Sequence, residues 1–332
     1  MNIKRVSVIG AGAWGTALAL IAARAGRQVT LFVRRPELAA VIAAQRENTD
    51  YLPGIALPAD IAVTSNLALA LEAEAVLYAQ PAQFLRAFCA AARPHWPQTG
   101  ALVLCAKGVE QQSGLLLHEI AATELPAARV TALSGPSFAI DAARSLPTAV
   151  AIAGTDGALV DDLMQALSHG AFRPYGSDDL AGVEVAGAVK NVLAIACGMV
   201  IGAGLGDNAR AALITRGLAE VSRLALAKGG RPETLMGLAG LGDLVLTCSS
   251  PKSRNMSLGQ ELGQGRTLPE ILAGRHSVAE GVTTAAAVVT LARKLGVEMP
   301  IAEAVNRILH EGSRLGAEVE TLLSRPLRRE SE

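Results

Sequence analysis

The sequence predicts an α/β fold in two parts: a parallel-sheet domain over residues 1–182 and an all-α domain over residues 183–332. Two observations predict it. Through the first half, short β-branched runs alternate with Ala/Leu-rich stretches, the pattern of a parallel sheet covered on both faces. Beyond Gly182 the strand signals nearly vanish and long helical periods take over. A chain of 332 residues, 51% hydrophobic and 18% charged, has enough apolar material for two cores.

Taken in order, strands are expected at 5–9, 28–33, 75–79, 101–105, 130–133 and 148–153. The intervening helices are expected at 14–25, 36–46, 81–92, 114–123 and 158–168. In the second part the helices are expected at 183–199, 208–227, 232–236, 277–295 and 302–310, with a Gly-rich interruption at 237–242. No low-complexity linker separates the halves, so one continuous element should join them.

Composition removes several function classes. The formal net charge is zero, without the basic excess of a nucleic-acid binder. Cys89, Cys105, Cys197 and Cys248 form no C-x-x-C pair, and the histidines form no H-E-x-x-H pattern. No metal site is expected, and reduced thiols in a cytoplasm fit best. Lys4 and Arg5 before an apolar run imitate a signal peptide, but three glycines break that run. The apolar stretch 192–205 falls short of the roughly 18–20 residues of a membrane span and contains three glycines. It reads as a buried core helix, so no membrane span is expected.

Gly10, Gly12 and Gly15, with Ala13 and Trp14 between them, follow the first expected strand and open the first expected helix. That is the Rossmann-type dinucleotide turn. The first glycine makes the tight turn, the second admits the pyrophosphate, and the third lets helix pack on strand. The helix N-terminus presents its N–H groups to the anion. An NAD site usually carries an acid at the end of the second strand, to accept the ribose 2′-OH. Here Arg34 and Arg35 stand there. Guanidinium forks suit a 2′-phosphate, so NADPH is expected to be preferred, with NADH possible. The competing reading leaves both arginines solvated.

Ligands of open α/β sheets gather at the carboxyl ends of strands. Lys107 lies just past the strand 101–105, and Gly135 and Ser137 lie just past 130–133. Lys190 and Asn191 sit inside an otherwise apolar helix. A lysine buried there would have a lowered pKa suited to proton transfer, whereas a snorkelling lysine would not. Asp243 follows a flexible Gly-rich turn. Ser253, Arg254 and Asn255 occupy a polar loop that could hold a phosphate or be an ordinary surface turn.

Together these motifs carry a family resemblance. The turn Gly10–Gly15, Tyr51-Leu52-Pro53-Gly54, Ala106-Lys107-Gly108-Val109-Glu110 and Ser134-Gly135-Pro136-Ser137-Phe138-Ala139 come first. Gly187-Ala188-Val189-Lys190-Asn191-Val192, the run 213–220, Gly240-Leu241-Gly242-Asp243, Ser253-Arg254-Asn255, Glu280-Gly281 and Glu298-Met299-Pro300-Ile301 follow in unbroken order. The chain resembles the NAD(P)-dependent glycerol-3-phosphate dehydrogenases of bacterial type. The resemblance implies reversible hydride transfer between glycerol 3-phosphate and dihydroxyacetone phosphate, phospholipid synthesis downstream, and a homodimer. It implies Lys190 as proton donor and acceptor, with Lys107 and Asp243 beside the reacting oxygen. It implies substrate contacts from Gly135, Ser137, Ser253, Arg254 and Asn255, and cofactor contacts from Lys107, Ala139, Arg254, Val278 and Glu280. The chain departs from the family pattern at Gln80, at Ile201 and at Met256-Ser257-Leu258. Two other readings compete: a related two-domain NADP-dependent hydroxy- or keto-acid dehydrogenase, and a non-catalytic NADPH-binding protein.

Overall fold

The structure is a computed structural model that describes residues 3–98, 100–275, 279–327 and 329. Among these, eight strands form one sheet: β1 (Arg5–Ile9), β2 (Gln28–Phe32), β3 (Ala62–Thr64), β4 (Ala75–Tyr78), β5 (Ala101–Leu104), β6 (Arg129–Ser134), β7 (Thr148–Ala153) and β8 (Phe172–Ser177). Their order is β3-β2-β1-β4-β5-β6-β7-β8. All neighbours run parallel except β6 and β7, which are antiparallel with Leu133 opposite Ile152. The all-parallel expectation fails at that pair. The chain returns from β6 to β7 through residues 135–147, which hold one short helix.

The central strands β4 and β5 are buried at every residue, as continuous apolar runs in a doubly covered sheet require. Among the described residues, seven helices belong to this half: α1 (Ala13–Arg24), α2 (Pro36–Gln45), α3 (Leu67–Ala70), α4 (Leu85–Ala92), α5 (Leu117–Glu124), α6 (Ala139–Ala143) and α7 (Gly157–Leu167). Helices α1, α2, α6 and α7 close one face, and α3, α4 and α5 close the other.

Nine helices follow among the described residues: α8 (Leu180–Gly202), α9 (Gly206–Ala227), α10 (Pro232–Leu235), α11 (Asp243–Ser249), α12 (Arg254–Gly263), α13 (Leu268–Ala273), α14 (Glu280–Lys294), α15 (Pro300–His310) and α16 (Leu315–Leu323). Helix α8 is their axis. Its first turn places Leu180 and Val183 in the sheet's core, and from Val185 onward it is the centre of the helical core. By length and composition alone α8 could cross a membrane, which the shorter stretch 192–205 did not suggest. It is instead sheathed by its neighbours, with 89% of its apolar window buried.

Helices α8 and α12 approach at backbone distance. A Cβ on Gly198 would lie 2.1 Å from the Met256 carbonyl oxygen, and one on Gly259 would lie 2.1 Å from that of Ile195. Gly202 and Gly263 repeat the contact one turn on. Ties also run from α5 to this core. The His118 N–H donates to Glu184 of α8 at 3.1 Å, and Lys228 pairs with Glu119 at 2.5 Å.

Several local expectations need correction. Strand β3 has three residues, too few to show a period. Strand β8 contains Pro174 and Gly176, which read as breakers but are tolerated on a sheet edge. The segment 81–92 begins as a 3₁₀ turn and turns α-helical at Leu85, and the segment 114–123 becomes helical only at Leu117. The polar loop expected at Ser253 is the start of α12, with the Ser253 Oγ accepting the Met256 N–H at 3.2 Å as an N-cap. The Gly-rich turn before Asp243 is a π-helical turn, Leu238–Gly242, continuous with α11. The expected helix 277–295 begins at Glu280, and its first residues lie outside the described ones.

Candidate active site

The strand order reverses between β1 and β4, where a crevice opens at the strand carboxyl ends. Gly10 ends β1 with φ +112°, a conformation that favours glycine, and a Cβ there would lie 2.8 Å from the Gln80 Cγ. A Cβ on Gly15 would lie 1.8 Å from the Gly10 carbonyl oxygen. A Cβ on Gly12 would meet nothing within 4 Å. The first and third glycines are thus fixed by protein contacts, while the second faces open space. Gly12 begins α1, and no side chain caps that helix. These residues fit a dinucleotide: a cradle without side chains, facing helix N–H groups that want an anion. The Trp14 Nε1 beside them is buried without a partner among the described residues.

Arg34 lies past the end of β2 with its guanidinium 5.7 Å from the Phe84 ring centroid. Arg35 is 3.5 Å from Asp50, both largely exposed. An exposed pair at that distance is worth roughly 0–1 kcal/mol, so Arg35 can exchange it for a phosphate.

The chemistry-bearing side chains converge from both halves. Lys107, past β5, donates from Nζ to the Asp243 Oδ2 at 2.6 Å and to the Gly135 carbonyl at 3.4 Å. Lys190, from the middle of α8, donates to the Asp243 Oδ1 at 2.5 Å and to the Thr247 Oγ1 at 2.8 Å. One carboxylate, 1% exposed, therefore bridges two ammonium groups. Burial pushes the Asp243 carboxyl upward, but Lys107 and Lys190 outweigh it and hold the group below its ordinary value. Burial pulls the Lys190 ammonium down to about 8, against the raising pull of Asp243, and the charge on Lys107 adds to the lowering. The snorkelling alternative is excluded: Lys190 is 8% exposed and paired.

Gly135 and Ser137 lie at the end of β6, where the Ser137 Oγ donates to the Gly135 carbonyl at 3.0 Å. Ser253 and Asn255 are buried at the start of α12, whereas Arg254 is exposed. The Asn255 Nδ2 donates to the Asn191 Oδ1 at 2.9 Å, and its Oδ1 accepts the Gly281 N–H at 3.0 Å. Glu280 opens α14. Burial raises its carboxyl, opposed by the charges of Arg254, Lys107 and Lys190. Ala139 is the first residue of α6. Val278 lies outside the described residues. Of the departures, Gln80 covers Gly10, Ile201 packs against the helical core, and Met256 and Leu258 are buried within it.

Sequence reasoning missed Thr247. It stands four residues after Asp243, on the same helical face, and a segment taken for a flexible turn hid that spacing. It also assigned no role to Asn191, whose link to Asn255 pins α12 to α8.

Two family models match: residues 5–160 match the NAD-dependent glycerol-3-phosphate dehydrogenase N-terminus, and residues 179–320 match the C-terminus. The chain belongs to the NAD-dependent glycerol-3-phosphate dehydrogenase family. Within it, a glycerol-3-phosphate dehydrogenase [NAD(P)+] of Rhodospirillum rubrum is 56% identical over 327 residues, 98% of this chain and 94% of that one. The Caulobacter vibrioides glycerol-3-phosphate dehydrogenase [NAD(P)+] is 56% identical over 331 residues, covering both chains completely. The crystal structure of glycerol-3-phosphate dehydrogenase from Coxiella burnetii superposes with a TM-score of 0.94 at 40% identity, over 97% of this chain and 99% of that one. The Rossmann-type sheet with an all-helical second half is thus the fold of a glycerol-3-phosphate dehydrogenase, and the rival hydroxy-acid and non-catalytic readings lose their ground.

Proposed function

We propose that this protein interconverts sn-glycerol 3-phosphate and dihydroxyacetone phosphate, with NADPH the preferred cofactor and NADH a poorer one. The observation that carries the proposal is the buried Lys107–Asp243–Lys190 bridge at the carboxyl end of the sheet. The glycine turn would hold the pyrophosphate, with Ala13, Trp14, Ala139 and Glu280 around the cofactor. When bound, the nicotinamide supplies or accepts the hydride. Gly135, Ser137, Ser253, Arg254 and Asn255 hold the substrate, with Arg254 the group for its phosphate: it is exposed at the start of α12 and its guanidinium is a donor fork.

Lys190 and Lys107 stabilise negative charge growing on the carbonyl oxygen, in a site that largely excludes water. Lys190 then delivers a proton to that oxygen, and in the reverse direction removes it. Asp243 keeps both ammonium groups in place and opposes the loss of the Lys190 charge. Reduction needs Lys190 protonated and oxidation needs it neutral. With the group near 8, the reduction rate is expected to hold below that pH and fall above it, while oxidation rises over the same interval. Saturating initial rates in both directions from pH 6 to 10 check this. Parallel profiles would remove Lys190 from the proton path.

The direct test of the activity is NADPH oxidation with dihydroxyacetone phosphate, compared with unphosphorylated dihydroxyacetone. Turnover only with the phosphorylated substrate supports the proposal, and equal rates on both count against it. For the cofactor preference, Arg34→Ala is expected to weaken NADPH about ten- to a hundredfold, one charge-assisted hydrogen bond, while leaving NADH unchanged. Equal effects on both cofactors would place Arg34 away from the 2′-phosphate. We extend the proposal to a cytoplasmic homodimer that supplies glycerol 3-phosphate for phospholipid synthesis. Its four buried free thiols suit a reducing compartment.

A further inference from the structure

Asn48 lies beyond α2, outside every motif that marked the cofactor site. It is fully buried. Its Nδ2 donates to the Ala11 carbonyl at 2.8 Å and to the Thr16 Oγ1 at 2.8 Å. Ala11 is the residue between the first two glycines of the turn. Thr16 closes the first hydrogen bond of α1, its N–H donating to the Gly12 carbonyl at 2.9 Å. One carboxamide therefore clamps the turn to the helix it opens. The Asn48 segment is itself held, because its carbonyl accepts the Leu52 N–H at 2.8 Å.

The clamp has a geometric consequence. In a trans peptide the C=O and the following N–H point in opposite directions. Drawing the Ala11 carbonyl toward Asn48 therefore turns the Gly12 N–H away from Asn48, at a glycine whose Cβ would meet nothing within 4 Å. We infer that Asn48 is a positioning residue for the cofactor: it sets the Ala11–Gly12 peptide so that its N–H faces the pyrophosphate. The inference rests on the glycine turn being the pyrophosphate site. The buried Asn48 Oδ1 has no partner among the described residues. Reversing the amide would leave the Ala11 carbonyl facing another acceptor, so both N–H donors are spent on the turn and the acceptor is stranded. Aspartate has the same shape without the donors, and would add a buried negative charge behind an anion site.

The test is direct titration of NADPH and of NADH by protein fluorescence, to which Trp14 in the turn contributes. Asn48→Asp is expected to raise both dissociation constants by the same factor, tenfold or more, because the pyrophosphate is common to both cofactors. Asn48→Ala, which lacks the donors but adds no charge, is expected to do the same more weakly, and it serves if the aspartate variant does not fold. In either, the loss should fall on Kd and KM rather than on kcat at saturating cofactor, with circular dichroism and Tm confirming a folded chain. Gly12→Val separates the two levels. Wild-type binding in Gly12→Val overturns the pyrophosphate assignment and the inference with it. Impaired Gly12→Val with wild-type binding in folded Asn48 variants overturns the inference alone. An Asn48 effect confined to NADPH also overturns it, since that would be an effect on the 2′-phosphate.

Discussion

Replacing Lys190 by alanine is expected to lower the turnover of dihydroxyacetone phosphate by about 10²–10⁴, the usual worth of a positioned general acid. The dissociation constant for NADPH should change little, because the glycine turn lies at the crevice between β1 and β4 and Lys190 comes from α8. Single-turnover rates with saturating NADPH isolate the step. The structure adds a second expectation. Removing Lys190 leaves Asp243 still paired with Lys107 at 2.6 Å, so the fold should survive. A variant that keeps near-normal single-turnover rates would disprove the assignment.

Asp243→Ala should be the more damaging change to the protein as a whole. It strips the shared counter-charge from two ammonium groups, one of them buried. Breaking a buried pair by removing one partner costs about 3–5 kcal/mol, and here one residue serves two pairs. Lys190 would relieve the strain by losing its proton, moving further below its present value near 8. At neutral pH the reduction rate should then fall by about 10² or more, as the donor population and its placement go together. The double variant with Lys190→Ala should lose less than the product of the two single losses, since groups acting as a unit are not additive, and what it loses beyond Lys190→Ala is the placement of Lys107. Losses that multiply would mean that Asp243 acts independently of Lys190. Thermal denaturation of the three variants checks the stability half, with the Asp243→Ala chain expected to melt lowest.

The central sheet was legible because its strands are continuous apolar runs: all residues of β4 and β5 are buried, and their sequence shows it. The edges were not. Strand β3 is too short for a period, and β8 carries a proline that only an edge accommodates. The antiparallel direction of β7 against β6, joined through α6, is not encoded by local composition. At the site, Lys190 was visible as a charge in an apolar helix, and Lys107 and Gly135 from their places past strand ends. Helices α11 and α12 were hidden because glycine, serine and proline ordinarily mark loops. In α12 the serine is a cap and the glycines are contact points with α8. Those roles exist only once the partner helix is in place, and with them went Thr247 and the true setting of Arg254.

The glycine contacts between α8 and α12 also bear on motion. At Gly198, Gly202, Gly259 and Gly263 the two backbones touch so closely that neither helix can slide or roll against the other without collision. Asn255, hydrogen-bonded to Asn191, fastens the same pair at its catalytic end. The lysine proposed for proton transfer and the arginine assigned to the phosphate are therefore mounted on one stiff frame. The hydrogen bond from Lys107, past β5, to Asp243 of α11 is the clasp that fastens this frame to the carboxyl end of the sheet.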